Sequence, residues 1–182
     1  YRGTWYRSRL EAKWAAMFDM FGWSAQYEPF DLPGWIPDFS IQAEVEPGFL
    51  LVEVKPFMRG EDYAVDDIQE AVDVAVLAET LPGPPEVLLL GHSAVIPGGG
   101  HADFHSGWLL GCGDTSWGQD TACLNYYGGR YGLLAWWGHW RDLITGLYSG
   151  NDYVFPASAD EVSAMWAAAG NLVQWHPVKV AV

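Results

Sequence analysis

The residues best suited to chemistry are two carboxylates and a lysine in the first third of the chain. Asp38 follows an Ile-Pro pair, and Glu53 stands fifteen residues further on, with Lys55 two places after it. Hard cations such as Mg2+ take oxygen ligands and are bound by a few carboxylates together with substrate phosphate. A lysine beside them can orient or deprotonate an attacking water, or neutralise the charge that builds on the phosphate. The spacing predicts magnesium-dependent hydrolysis of phosphodiester bonds, with Asp38, Glu53 and Lys55 as catalytic residues.

Two strands are expected to position these side chains. Segments 35–41 and 49–55 are rich in β-branched and aromatic residues, and a turn-forming Glu-Pro-Gly sequence lies between them, so they predict a hairpin. Alternation places Glu53 and Lys55 on one face and lets Asp38 face the same cleft. A lone Glu-Val-Lys is more often a solvated strand edge. Here the second strand is nearly all apolar, so its Glu is expected to be buried with a partner.

The first helix is predicted to carry a third carboxylate. Its apolar residues recur at helical spacing over about 7–21: Leu10, Trp14, Met17, Phe18 and Phe21. Glu11 falls on the inward face, although an acid in a first turn can simply favour the positive end of the helix dipole. Arg9 and Lys13 lie nearly opposite Glu11, where they are expected to contact a DNA backbone.

Four segments occur in the order seen in a known group of nucleases. They are Arg7-Ser8-Arg9-Leu10-Glu11-Ala12, Tyr27-Glu28-Pro29, Pro37-Asp38-Phe39 and Glu53-Val54-Lys55-Pro56. The combination resembles the PD-(D/E)xK nuclease superfamily, with its restriction-endonuclease-like core. A similar order occurs in phage Holliday-junction resolvases of the endonuclease I type and in transposon end-cleaving subunits.

The resemblance implies roles for individual residues. Glu11, Asp38 and Glu53 would bind one or two Mg2+ or Mn2+ ions, and Lys55 would be catalytic. Two further residues have supporting roles in this reading: Glu28, which matches a recurrent position, and Gln69, which compares with a helix glutamine of related exonucleases.

Charge bears on the DNA partner. The chain has nine Lys and Arg residues against 23 Asp and Glu, a net charge of −14 that repels a polyanion. Six of the nine bases lie within the first 60 positions. This asymmetry predicts a DNA-facing cleft with an acidic back and salt-dependent binding. The expected DNA-contacting residues are Arg7, Arg9, Lys13 and Arg59.

The remaining pattern predicts an α/β fold with an αβββαβ core. A helix over 62–80 and a buried strand over 87–90 would complete a parallel crossover in a mixed central sheet flanked by helices. We expect a nuclease core over 1–96 and a Gly/Trp/Tyr-rich β elaboration over 97–150. The segment 151–182 is expected to add a C-terminal helix and tail to the same domain.

The elaboration offers weaker signals. A hairpin is predicted around Gly128 and Gly129, and the C-terminal helix should begin near Ser158 with a capping box. A zinc site is not expected because no Cys-x2-Cys pair is present, although a zinc ribbon that has lost ligands is an alternative. The residues weighed for zinc are His101, His105, Cys112 and Cys123. The tryptophans are expected in the core rather than stacked on bases: Trp108, Trp117, Trp136, Trp137 and Trp140.

Other features limit location and function. No apolar run approaches the ~20 residues of a membrane span, no secretory signal appears, and two cysteines are too few for a disulfide framework. We expect no membrane partner and a cytoplasmic location in a bacterium or phage-infected cell. The function predicted first is a metal-dependent DNA nuclease, monomeric or homodimeric. The alternatives are a structure-selective Holliday-junction resolvase and, in a different class, a non-catalytic acidic interaction module or DNA mimic.

Overall fold

The computed structural model describes residues 1–44, 46–56, 73, 81, 85–98, 104–110, 119–135, 142–147 and 156–174. Several sequence predictions lie outside these residues, namely Arg59, Gln69, His101, Cys112, Trp117, Trp136, Trp137 and Trp140. The helix expected over 62–80 also lies outside them, apart from Asp73, which is helical.

Helix α1 (Arg9–Phe21) begins two residues later than the apolar pattern predicts. Ser8 ends the preceding extended segment, and its hydroxyl accepts a hydrogen bond from the Glu11 backbone N–H at 3.1 Å, so it caps the helix. Gly22 closes the helix at φ 73°, a left-handed conformation that glycine adopts without strain.

The strands form one large sheet and a separate two-stranded pair. In chain order they are β1 (Ala25–Tyr27), β2 (Phe39–Gln42), β3 (Phe49–Val54), β4 (Val87–Leu90), β5 (Ile96–Pro97), β6 (Phe104–His105), β7 (Gly107–Leu110), β8 (Gln119–Tyr127) and β9 (Arg130–Ala135). The large sheet has the order β1-β2-β3-β4-β7-β8-β9, and β5 pairs with β6. Only β3 and β4 are parallel among the paired strands. The predicted mixed α/β class is confirmed, as are the β2–β3 hairpin and the parallel position of β4.

The first predicted strand is shorter than expected. It begins at Phe39, whereas Trp35 exchanges two backbone hydrogen bonds with Leu32 across a tight turn, at 3.0 and 3.1 Å. Pro37 has no N–H to give to a strand ladder, which disfavours an earlier start. Asp38 therefore stands immediately ahead of β2 rather than within it.

Strands from the second half of the chain extend the central sheet. Strand β7 pairs antiparallel with β4, and β8 and β9 follow it outward. The hairpin predicted between β8 and β9 is confirmed: Tyr127 pairs with Arg130, and Gly128 and Gly129 adopt φ 59° and 86°. Positive φ at both turn residues matches the twist of the strands, and glycine allows it.

Helix α2 (Ala159–Leu172) begins after Ser158, whose hydroxyl accepts from the Glu161 N–H at 3.4 Å, as the capping pattern predicts. It packs beside α1, where the rings of Trp14 and Trp166 lie 4.7 Å apart. Neither helix has the length and apolar character that a bilayer span demands, within the residues that the structure covers.

Two apolar cores cover the two faces of the sheet. Leu50, Val52 and Val54 of β3 join the core beneath α1 and α2. Leu51 alternates to the opposite face, where it packs with β4 residues and with Leu32 of the turn. The strand carrying Glu53 is therefore covered on both sides, as its apolar composition predicts.

Candidate functional site

The candidate site lies where three elements meet at one end of the sheet. Because β2 and β3 are antiparallel, the start of β2 and the end of β3 are neighbours, with Phe39 opposite Val52. The N-terminal end of α1 completes the site. An open cleft of about 610 Å³ lies there, and its walls include Arg7, Glu11, Asp38, Glu53, Lys55 and residues of the 31–36 turn.

Asp38 is the most strongly constrained carboxylate. It is only 3% exposed. Its Oδ2 accepts a hydrogen bond from the Val54 N–H at 2.7 Å, and its Oδ1 pairs with Arg7 Nη2 at 2.8 Å. Burial, followed by the charges of Glu53 and Glu11, raises the pKa of Asp38 to about 6, although the Val54 N–H and Arg7 oppose the shift. The buried carboxyl therefore lies in a field of negative charge that its two donors do not fully offset.

Glu53 and Lys55 share one face, as the strand pattern predicts, and they form an ion pair there. Glu53 is also 3% exposed, and its Oε1 lies 2.7 Å from Lys55 Nζ. Its second oxygen, Oε2, accepts a hydrogen bond from Trp35 Nε1 at 2.9 Å. Glu53 is thus held from two directions, by a charged side chain on one oxygen and by a neutral indole on the other.

Glu11 is buried on the inward face of α1, as the helix pattern predicts. Its Oε2 accepts from the Tyr27 hydroxyl at 2.7 Å and from the Arg7 backbone N–H at 3.1 Å. Burial, assisted by the hydrogen bond to Glu11, raises the pKa of Tyr27 to about 12. Tyr27 is therefore a neutral donor at physiological pH and fixes one oxygen of Glu11.

Arg7 links two carboxylates on the rim of the cleft. Its Nε lies 2.8 Å from Glu28 Oε1, and its Nη2 reaches Asp38. Glu28 has φ 45°, a left-handed conformation uncommon outside glycine, and its backbone N–H donates to the Asp38 carbonyl at 2.9 Å. Arg7 and Glu28, which both belong to the sequence motif, are therefore in direct contact with Asp38.

The two basic residues of α1 do not line this cleft. Arg9 is exposed on the helix surface. Lys13 lies with its Nζ 3.6 Å from the centre of the Trp166 ring, a cation–π contact with α2. Burial, and to a lesser degree the neighbouring Arg9, lowers the pKa of the Lys13 ammonium. Lys13 therefore packs between the two helices in the structure, whereas the sequence pattern predicts that it contacts a DNA backbone.

The sequence does not identify two residues of the site. Its pattern places Trp35 in a strand, and Tyr27 enters the motif only as the neighbour of Glu28. Buried Trp and Tyr side chains usually find a partner for their N–H or O–H group. That rule predicts a partner for each ring, but the spacing of the residues does not reveal which carboxylate it is.

The chemistry of the donor set fits a hard cation, although the carboxylates do not already form a metal-binding group. Across the described part of the chain, no three His, Cys, Asp or Glu side chains are gathered closely enough for one. Glu11, Asp38 and Glu53 nevertheless border one cleft, and their mutual repulsion contributes to the raised pKa of Asp38. Oxygen ligands of this type suit Mg2+ or Mn2+.

No family model, curated protein or solved structure matches this chain. The case for a function therefore rests on the geometry and chemistry of the cleft.

Proposed function

We propose that the chain is a Mg2+- or Mn2+-dependent deoxyribonuclease of the PD-(D/E)xK superfamily. The supporting observation is that Glu11, Asp38, Glu53 and Lys55 border one cleft although they come from three separate elements. Buried carboxylates are costly unless they are paired or bind a cation. Three buried carboxylates around one cleft therefore support a site that binds a cation.

The proposal includes a restriction-endonuclease-like core. The described elements run from α1 through β1, β2 and β3 to a β4 parallel with β3, which is the expected order once the segment 62–80 is set aside. In this reading the protein acts on DNA in the cytoplasm of a bacterium or phage-infected cell.

The carboxylates have the role of holding the cation. When bound, a divalent ion of this kind polarises the scissile phosphate and makes hydroxide available near neutral pH. Tyr27, Trp35 and the Val54 N–H each fix one carboxylate oxygen, so the three side chains keep their positions as charge enters the cleft. Because these carboxylate oxygens are already held in place, little reorganisation energy is needed when the reaction begins.

Lys55 has the role of the charged donor beside the reacting phosphate. Its Nζ is anchored on Glu53 Oε1 and its side chain is partly exposed, so it can reach into the cleft. There it would donate to the attacking water or to a phosphate oxygen and offset the charge that develops during attack. Arg7, on the rim, is the nearest further cation for a DNA phosphate.

A non-catalytic acidic interaction module is the second candidate. The observation that favours it is that Arg7 already pairs with Asp38 at 2.8 Å and Lys55 with Glu53 at 2.7 Å. In this case the cluster would be a structural ion-pair network, and the net charge of −14 would attract a basic binding partner.

The deciding experiment compares cleavage of linear, nicked, single-stranded and branched DNA in Mg2+, Mn2+ or EDTA. Wild type should cut only with a metal, and Asp38→Asn and Lys55→Met should each lose about a hundredfold or more in rate. Asp19→Asn makes the same change of charge in α1 at a residue bound to Arg2, and it should leave the rate unchanged.

The DNA substrate that is cleaved distinguishes the candidate functions. Cutting restricted to branched DNA would select a resolvase, and shortening from ends would select an exonuclease. If wild type cuts none of the substrates with either metal, the nuclease proposal fails and the interaction module is favoured. Equal rates for Asp38→Asn and wild type would contradict the assigned site.

A further inference from the structure

Arg7 is shared between a buried and a more exposed carboxylate. Its guanidinium contacts Asp38 Oδ1 and Glu28 Oε1 at the same distance, 2.8 Å. The Asp38 side chain is 4% exposed, the Glu28 side chain 35% and the Arg7 side chain 54%. The guanidinium thus lies at the boundary between the buried cluster and solvent, with an acceptor on each side.

The two oxygens of Asp38 are held in different ways. Oδ2 accepts from the backbone N–H of Val54, which is fixed by the sheet. Oδ1 is held by Arg7, whose long side chain is more than half exposed and can change rotamer at low cost. A cation that enters the cleft and binds Asp38 must compete with the guanidinium, because two positive groups close to one carboxylate repel each other.

We propose that Arg7 is an exchangeable counterion that holds Asp38 in the metal-free protein and releases it to an incoming divalent cation. Glu28 retains the guanidinium on the rim after the exchange, where it is positioned to meet a DNA phosphate. The inference rests on the proposed metal site, and it assigns Arg7 and Glu28 as positioning residues. Arg7 therefore weakens cation binding while it offsets part of the negative charge of the cation-free site.

The direct test is calorimetric titration of the purified protein with Mn2+ alone, without DNA. Arg7→Gln should bind Mn2+ about tenfold more tightly than wild type, the scale of one charge-assisted hydrogen bond lost from the competing pair. Arg9→Gln is the matched control, because it removes the same charge from the exposed surface of α1. It should change the affinity by less than about twofold, as expected of a screened surface charge.

Glu28 provides a test in the opposite direction. In Glu28→Gln the guanidinium loses its second carboxylate and depends on Asp38, so Mn2+ affinity should fall by about threefold. Asp31→Asn, which changes an exposed carboxylate of the same cleft, controls for lost negative charge and should have a smaller effect. In the double variant Arg7→Gln/Glu28→Gln the effect of the second substitution should disappear.

Three outcomes would overturn the exchange. One is an Arg7→Gln affinity equal to or below that of wild type, and another is a Glu28→Gln effect that persists undiminished without Arg7. The third is equal effects of Glu28→Gln and Asp31→Asn, a comparison that decides the matter even if Arg7→Gln does not fold. In each case wild type still binds Mn2+ and the proposed nuclease site stands. If wild type binds no Mn2+, the metal site itself is wrong and the exchange falls with it.

Discussion

Replacing Asp38 with Asn should remove a pH-dependent loss of stability. Burial, and then the charge of Glu53, raises the pKa of Asp38 from its ordinary 3.8 to about 6. Between these values the folded protein keeps a proton that the unfolded chain has released, so the free energy of unfolding falls as pH rises. The loss is complete above the folded pKa. At 1.36 kcal/mol per unit it amounts to about 3 kcal/mol, and the nearly complete burial of the carboxyl keeps solvent from screening it.

The assay is urea denaturation in EDTA between about pH 4 and about pH 7, taking the difference between wild type and Asp38→Asn. Wild type should lose about 2.4 kcal/mol relative to the variant across this range, because pH 4 already lies just above the unfolded pKa, and this holds whatever the offset at low pH caused by the altered contacts with Arg7 and Val54. Added Mg2+ should restore part of the wild-type loss at the upper end, because a cation favours the ionised carboxyl. Parallel pH profiles in EDTA would refute the reasoning.

Substitutions at three further positions test individual hydrogen bonds. Trp35→Phe keeps an aromatic ring but leaves Glu53 Oε2 without its indole donor, so the free energy of unfolding in urea should fall by about 1–3 kcal/mol; an unchanged value would mean that the bond contributes nothing. Tyr27→Phe removes the hydroxyl bound to Glu11 and should cost about 1 kcal/mol by the same measurement, a prediction that a stabilised variant would contradict. Ser158→Ala should cost about 1 kcal/mol, whereas Ser158→Asn, which also caps helices, should not; equal losses would argue against a cap.

Local chemistry accounts for the elements that the sequence predicts correctly. The cap at Ser158 and the apolar face of α1 depend on neighbours within a few turns of helix. The Gly128-Gly129 hairpin depends on φ values that a turn requires of its own residues. The burial of Glu53 follows from the apolar strand around it, and strand alternation places Lys55 on the same face as Glu53.

Long-range contacts account for what the sequence leaves open. The pairing of β7 with β4 extends the central sheet, and the apolar runs of the two strands permit several such partners. The sequence also gives no sign that Lys13 packs on Trp166 in a distant helix. Such contacts follow from the packing of whole elements, which residue spacing does not encode.

For the candidate site, the sequence alone determined which acids and which lysine to consider, because strand and helix periods fix the face on which a side chain lies. The tertiary structure decided what each of them touches. Arg7 reaches Asp38 from 31 residues away, and the Trp35 indole reaches Glu53 from 18 residues away. These partners depend on where the chain turns after α1 and before β2, so their contacts exist only once the sheet and helix have packed together.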